Sequence, residues 1–356
     1  MTPAEILDSI QRHKAIKDQD LSGVDLAGRD LDGGLFQRVR FHGADLSRTV
    51  LDRTGFQACD FSGARFDGAE LQEQMLRETP FTGASFREAR FHRCIFSGCD
   101  FSGADFTGAR LGWSILDNCP MDGCSLRGAA LEKLQMPEAK LRRADLEGAR
   151  FLKVILDEAL LAGTSFRGAS FVKVGFSSCD LKGHDLSGLR LELVNFSKSD
   201  LTGASLRGAQ LLNAVFQEAK LDGADLAEAR VPSGMFLGAS LRGARLDRAT
   251  LAMACFKGAD LTRAVLDGAD LDHAFLEAAV CTGASFRNAR ASCADFTRAE
   301  LKDADFTRAD LHLARMHLTR DAGTRWDGAN RLLLRGTDPE LARAESFIPP
   351  TSQETP

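Results

Sequence analysis

No stretch of this 356-residue sequence approaches the ~20 consecutive apolar residues that a membrane-spanning helix requires. Met1–Ile10 has neither the basic start nor the apolar run of a secretory signal. The expected location is therefore the cytoplasm, with no membrane association. Neither charge sign dominates: 50 acidic residues face 45 basic ones, for a net charge of −5. That balance gives no case for direct nucleic-acid binding. Nine cysteines are present, but no C-x-x-C pair and no clustered histidines accompany them, so a zinc site is excluded. There is no G-x-S-x-G, no Walker A sequence and no H-E-x-x-H, which removes the common signatures of hydrolases, nucleotide-binding enzymes and metalloproteases. No cofactor is expected, and the chain is expected not to be an enzyme.

What the sequence does contain is a period. From Leu21 to Met316, 60 positions spaced five apart follow one another without insertion or deletion. Leu fills 32 of these centres and Phe 22; the rest are Met121, Met136, Val231, Cys281, Ala291 and Met316. Ala stands two residues before the centre in 35 of the 60 blocks. A strict short period dictates the fold before local propensity does. Five is not a helical period, and centres five apart would alternate faces along a simple strand. The chain must turn once per block, so that centre and Ala both point inward.

Blocks such as Ala44-Asp45-Leu46, Ala104-Asp105-Phe106, Ala224-Asp225-Leu226 and Ala269-Asp270-Leu271 are similar to those of pentapeptide-repeat proteins. The resemblance covers about 300 of the 356 residues. It implies an all-β fold, a right-handed quadrilateral β-helix with four blocks per coil. The 60 blocks then make 15 coils, a rod about 70 Å long at ~4.8 Å per layer. This continuity overrides the two domains that length alone suggests.

The four-sided coil has independent support. Gly follows the centre by two at 12 of 15 positions in the column through residues 23, 43 and 63. The column through residues 33, 53 and 73 has Gly only at 33, and holds Arg53, Glu73, Arg93, Trp113, Lys133, Lys153 and Lys173. Because Gly is needed where φ is positive, at least one corner is expected to use a different turn.

The ends read as caps. Residues 1–18 carry Ile6, Leu7 and Ile10 at helical spacing, with Thr2 and Glu5 placed as a capping box. A short helix should cover the first coil and hide its strand edges. Gln19 and Arg29 in Ala slots suggest that this coil is irregular. The rod is expected over residues 19–318. Residues 319–348 form a C-terminal cap in which Trp326 lids the last coil and a helix spans 337–346. Residues 349–356 should be a disordered tail.

Six cysteines (Cys59, Cys94, Cys99, Cys119, Cys124 and Cys179) fill Ala slots and are expected to act as small buried hydrophobes. Cys99 and Cys119, 20 apart, should stack in adjacent coils; a reducing compartment argues against a disulfide there. Gln74 and His184 in the same slot read as satisfied polar groups.

A loopless rod lacks a concave pocket, so function falls to its faces and ends. The residue before the centre is normally polar. At 20-residue spacing, however, Leu35, Met75, Ile95, Ile115, Ile155, Val215, Met235, Cys255 and Phe275 occupy it, and Leu152, Val172, Leu193, Leu212 and Met253 adjoin them. Phe176, Phe196, Phe216, Phe236 and Phe256 lie inward beneath this column. A long outward apolar band is expected to be a protein contact, for another protein or for a homodimer formed through the band or the C-terminal helix. Arg90, Arg110, Arg150, Arg190, Arg230 and Arg290 form a ladder, with Arg127, Arg167 and Arg207 on the corner before it. Asp25, Asp45, Asp105, Asp145, Asp185 and Asp225 form another. The expectation for both is charge interleaving that keeps the stack soluble.

The resemblance implies two functional classes. Some members mimic duplex DNA and act on DNA gyrase. Mimicry over ~70 Å would call for about 40 negative charges, against a net −5 with cations alongside. Others are non-enzymatic scaffolds or adaptors, including components found with bacterial type VI secretion machinery, which the opening Leu21-Ser22-Gly23-Val24-Asp25-Leu26 resembles. The scaffold is the expected class.

Overall fold

The structure is a computed structural model and describes residues 1–346; the expected tail lies outside them. Every block turns a corner, and parallel pairing joins residue i to residue i+20. The pairing starts at Ile16↔Phe36 and ends at Arg315↔Arg335. The ladder thus outruns both bounds read from the sequence. The 320 residues from 16 to 335, at 20 per turn, give 16 turns rather than 15. Four flat faces result, named here by the residue preceding the first centre on each: A through Asp20, B through Asp25, C through Asp30 and D through Leu35.

Inward-pointing Leu, Phe and Ala fill the bore. Phe columns continue from coil to coil: Phe61, Phe81 and Phe101 stack at 5.2 and 5.0 Å. Phe176 to Phe256 form an unbroken stack with centroid separations from 5.6 down to 4.7 Å. Identical side chains recur at the same place in each layer, so burial and ring stacking reinforce each other along the axis.

The expected difference between corners is present, but not in the form expected. φ is positive at Arg53, Glu73, Arg93, Trp113, Lys133, Lys153 and Lys173 (+52° to +57°), as it is at Gly23 and Gly43. Non-glycine residues therefore accept the left-handed conformation, which costs roughly 1–2 kcal/mol each. The difference lies in the hydrogen bond. Most corners close with an N–H from the Ala slot to the centre carbonyl, as Ala44 N–H does to Phe41 O at 2.9 Å. Between faces C and D the chain instead stays extended from Glu70–Gln72 to Arg190–Glu192, giving a seven-stranded parallel sheet. Beyond it the closed corner takes over, as at Ala214 N–H to Leu211 O, 3.1 Å.

Slot residues other than Ala show why they are tolerated. Cys59, Cys94, Cys99, Cys119 and Cys179 each donate Sγ–H to a centre carbonyl 23 residues earlier; for Cys94 to Leu71 O this is 3.1 Å. Gln74 Nε2 does the same to Leu51 O at 2.8 Å, and His184 Nε2 lies 2.9 Å from Leu161 O. The cysteines are buried, as a small hydrophobe would be, but they also act as donors. All nine are free thiols. The neighbouring Cys99 thiol, together with burial, pushes the Cys119 thiol up.

Asp before the centre caps its own corner. Asp45 Oδ1 accepts from Ser47 N–H at 2.9 Å and Asp305 Oδ1 from Thr307 N–H at 2.9 Å. Hydrogen bonds from Ser22 and Ser187 hold Asp20 and Asp185 below the usual carboxylate range. Burial pushes Asp305 up, but Thr307 and Arg287 outweigh it and bring it to about 2. An unfolded Asp titrates near 3.9. These groups therefore contribute stability in full above that pH and lose it as pH falls through the folded value. The melting temperature is expected to fall from about pH 4 to about pH 2, as followed by circular dichroism. A flat profile across that window would refute the capping role.

Helix α1 (Pro3–Gln11) has the full capping box between Thr2 and Glu5. It buries Ile6 completely and rests Leu7 and Ile10 on the core. Gln19 is half-buried and Arg29 exposed, so neither extends the apolar lining of this first coil. At the other end Trp326 stacks on Phe306 at 4.9 Å. Helix α2 (Pro339–Ser346) buries no side chain of its own and is held by polar contacts at a corner. Glu345 accepts from Arg298 Nη2 at 2.6 Å and lies 3.4 Å from His317 Nε2. Asp338 N–H donates to His317 Nδ1 at 3.2 Å.

Candidate protein-interaction faces

Face D and the corner before it carry the apolar residues singled out in the sequence. Their inward neighbours hold the chain by burial, leaving these side chains to point outward. Ile95, Leu152, Ile155, Leu193, Leu212, Met235, Met253 and Phe275 are exposed, and Ile115 and Val215 are half-buried. Phe176, Phe196, Phe216, Phe236 and Phe256 are buried directly beneath.

The column is not a continuous band. Met75, Ile95 and Ile115 sit on adjacent paired strands. The face then passes through Gln135, Ile155, Gly175 and Asn195 before Val215, Met235, Cys255 and Phe275 follow on successive bridges. Asp295 and Arg315 end the second run. Leu212 and Met253 flank it on the corner. Val215 and Cys255 are half-buried, whereas exposure runs from 44% at Met235 to 56% at Met253 for the other four side chains, high enough that the local packing of the rod does not cover them.

Sequence reading missed one neighbouring contact. Trp113 is exposed, and Lys133 Nζ lies 3.5 Å from the centroid of its ring. Their 20-residue separation was the available signal. The α2 clamp at His317 was also missed, since it joins residues 28 apart with no repeat to announce them.

The charged ladders interleave in part. Asp ladder carboxylates are engaged: Asp105 with Arg87 at 3.1 Å, Asp145 with Arg127 at 2.9 Å and Asp225 with Arg207 at 4.0 Å. In the Arg ladder, Arg90 meets Glu70, Arg190 meets Glu192 and Arg290 meets Asp270. Among the described residues Arg110, Arg150 and Arg230 form no ion pair. No group of three or more His, Cys, Asp or Glu converges as metal ligands would among those residues, and no helix there is long and apolar enough to cross a membrane.

Family models described as pentapeptide repeats match residues 20–57, 56–93, 155–192, 195–230, 235–263 and 279–317. A pentapeptide repeat region matches 89–166. The chain belongs to the pentapeptide-repeat family. No curated protein sequence matches it significantly. Among solved structures, this pentapeptide-repeat chain is similar to a trypsin-treated form of QnrB1, described as a plasmid-mediated fluoroquinolone resistance protein. Identity is 19%, coverage is 68% of this chain and 97% of that one, and the TM-score is 0.27. HetL from the cyanobacterium Nostoc, involved in heterocyst differentiation regulation, is 23% identical over 92% of this chain and 96% of its own, with a TM-score of 0.13. A pentapeptide repeat protein of the Arabidopsis thaliana thylakoid lumen is 36% identical over 35% of this chain and 70% of its own, with a TM-score of 0.19.

Proposed function

We propose that this chain is a non-enzymatic protein-binding scaffold that presents one face of a stiff rod to a partner protein. The observation that carries this is the run Val215, Met235, Cys255 and Phe275, one side chain per coil on a flat face, flanked by Leu212 and Met253. Contiguous exposed apolar surface of this kind marks protein contacts. The ladder beneath it is rigid, so docking costs little conformational entropy. The partner is another protein or a second copy of the chain. Association with type VI secretion machinery rests on the resemblance of the Leu21–Leu26 opening alone.

Gyrase modulation through DNA mimicry is less well supported. The Asp ladder that would imitate phosphates is occupied in capping corners and in pairs with Arg87, Arg127 and Arg207. The test is Val215→Asp/Met235→Asp/Phe275→Asp. The variant should keep the wild-type circular dichroism and melting curve, yet lose the native partner from a host lysate or lose self-association measured by light scattering. Unchanged partner and unchanged mass would refute the scaffold face. Retention of gyrase by both proteins would instead support mimicry.

A further inference from the structure

A second surface, separate from the Val215–Phe275 run, lies on face C. Arg110, Arg150, Arg190 and Arg230 occupy every second coil of one straight column, with uncharged Ala130, Ser170 and Gln210 between them. Two coils rise ~9.6 Å, so four guanidinium-bearing positions stand in line over about 29 Å. Arg110, Arg150 and Arg230 form no ion pair among the described residues. Nearby acids do not neutralise them, because each already has a partner: Glu132 with Lys133 at 3.6 Å, Glu147 with Arg127 at 2.7 Å, Glu192 with Arg190 at 2.8 Å and Glu228 with Arg207 at 2.7 Å. Lys153 and Lys173 add exposed cations that form no ion pair among the described residues, on the adjoining corner among Leu152, Val172 and Leu193. A chain of net charge −5 therefore carries one locally basic face with an apolar edge.

We propose that face C docks an acidic amphipathic helix lying along the rod axis. Residues seven apart on a helix are ~10.5 Å apart along its axis, close to the ~9.6 Å two-coil step, and long Arg side chains absorb the difference. A helix ~10–12 Å across also fits a face whose extended segments are three residues long, roughly 10 Å. A carboxylate at every seventh position would meet the Arg column, and an apolar seam beside it would meet Leu152, Val172 and Leu193. Nucleic acid supplies the charge but no aliphatic seam. A duplex, with a phosphate per ~1.7 Å of axis, would also overlie the Asp105–Asp225 ladder of face B.

The probe is a synthetic helical peptide of about 22 residues, long enough to span the ladder, with Glu at every seventh position and Leu on the adjoining seam. It should bind the full chain, weaken as salt is raised, and lose about tenfold or more in affinity with Arg110→Gln/Arg150→Gln/Arg230→Gln, a surface change that leaves melting unaltered. The Val215→Asp/Met235→Asp/Phe275→Asp variant should bind it like wild type, which separates this surface from the apolar run. Equal binding of a peptide with scrambled Glu positions, undiminished binding by the Arg variant, or no binding at all would overturn the proposal. So would tighter binding of an oligothymidylate of equal length, which would assign the face to nucleic acid.

Discussion

Phe216→Ala is expected to destabilise the rod by about 3–5 kcal/mol, the range for removing a large buried aromatic. Phe216 is fully buried and stacked between Phe196 at 5.2 Å and Phe236 at 4.8 Å. The bore cannot close over the loss, because each coil is held at a fixed height by ladder bonds such as Val215 N–H to Val194 O, 2.9 Å. A repeat protein distributes stability between units and their interfaces, so the damage should concentrate in the coils on either side. Hydrogen exchange should accelerate around residues 195–237, and urea denaturation should show the full loss. Phe216→Leu restores the commonest centre residue and should cost less than about 1.5 kcal/mol. A loss below about 1 kcal/mol for the Ala variant would mean that the stack is not a principal source of stability.

Ala224→Asp is the other large effect. Ala224 is fully buried. Polar slot side chains that replace Ala elsewhere donate to carbonyls, as Thr164 Oγ1 does to Leu141 O at 2.6 Å and Cys179 Sγ to Leu156 O at 3.2 Å. None of the 60 slots holds Asp or Glu. A carboxylate has acceptors only, so at this position it would face a carbonyl of the previous coil. The backbone N–H that slot side chains can meet, as Ser199 Oγ accepts from Cys179 N–H at 3.1 Å, is here already given by Ala204 to Leu201 O at 3.0 Å. The expected cost of such an uncompensated buried charge is about 3–5 kcal/mol. Ala224→Thr supplies a donor and should change stability by about 1 kcal/mol or less. Equal stability of the Asp and Thr variants would sink this account of the slot.

The slot shows how far the sequence reaches. That Cys59 or Gln74 lies inward was legible from the five-residue step alone. That each bonds to a carbonyl 23 residues earlier was not, since this depends on how far one coil is offset from the next. The Gly column behaved similarly. It showed that the corners differ, but positive φ at Arg53 and Lys153 was hidden, because neighbouring coils hold those residues in a conformation their own propensity disfavours. The outward apolar residues were identifiable one by one. Their division into a Met75–Ile115 run and a Val215–Phe275 run followed from Gln135, Gly175 and Asn195 falling on the same column.

By itself the sequence determined the solenoid, its 20-residue turn, the inward and outward sides of every block and the helix at the N-terminus. A strict period leaves only one way to bury 60 apolar centres, and a capping box is a local device. Tertiary structure alone decided which charges are spent. Asp and Arg ladders look equivalent as columns of letters, yet each Asp reaches a donor two residues ahead on its own corner, while Arg110, Arg150 and Arg230 form no ion pair among the described residues, the nearby acids being paired with other cations. Pairing between coils is a property of three-dimensional offset, which no one-dimensional period encodes.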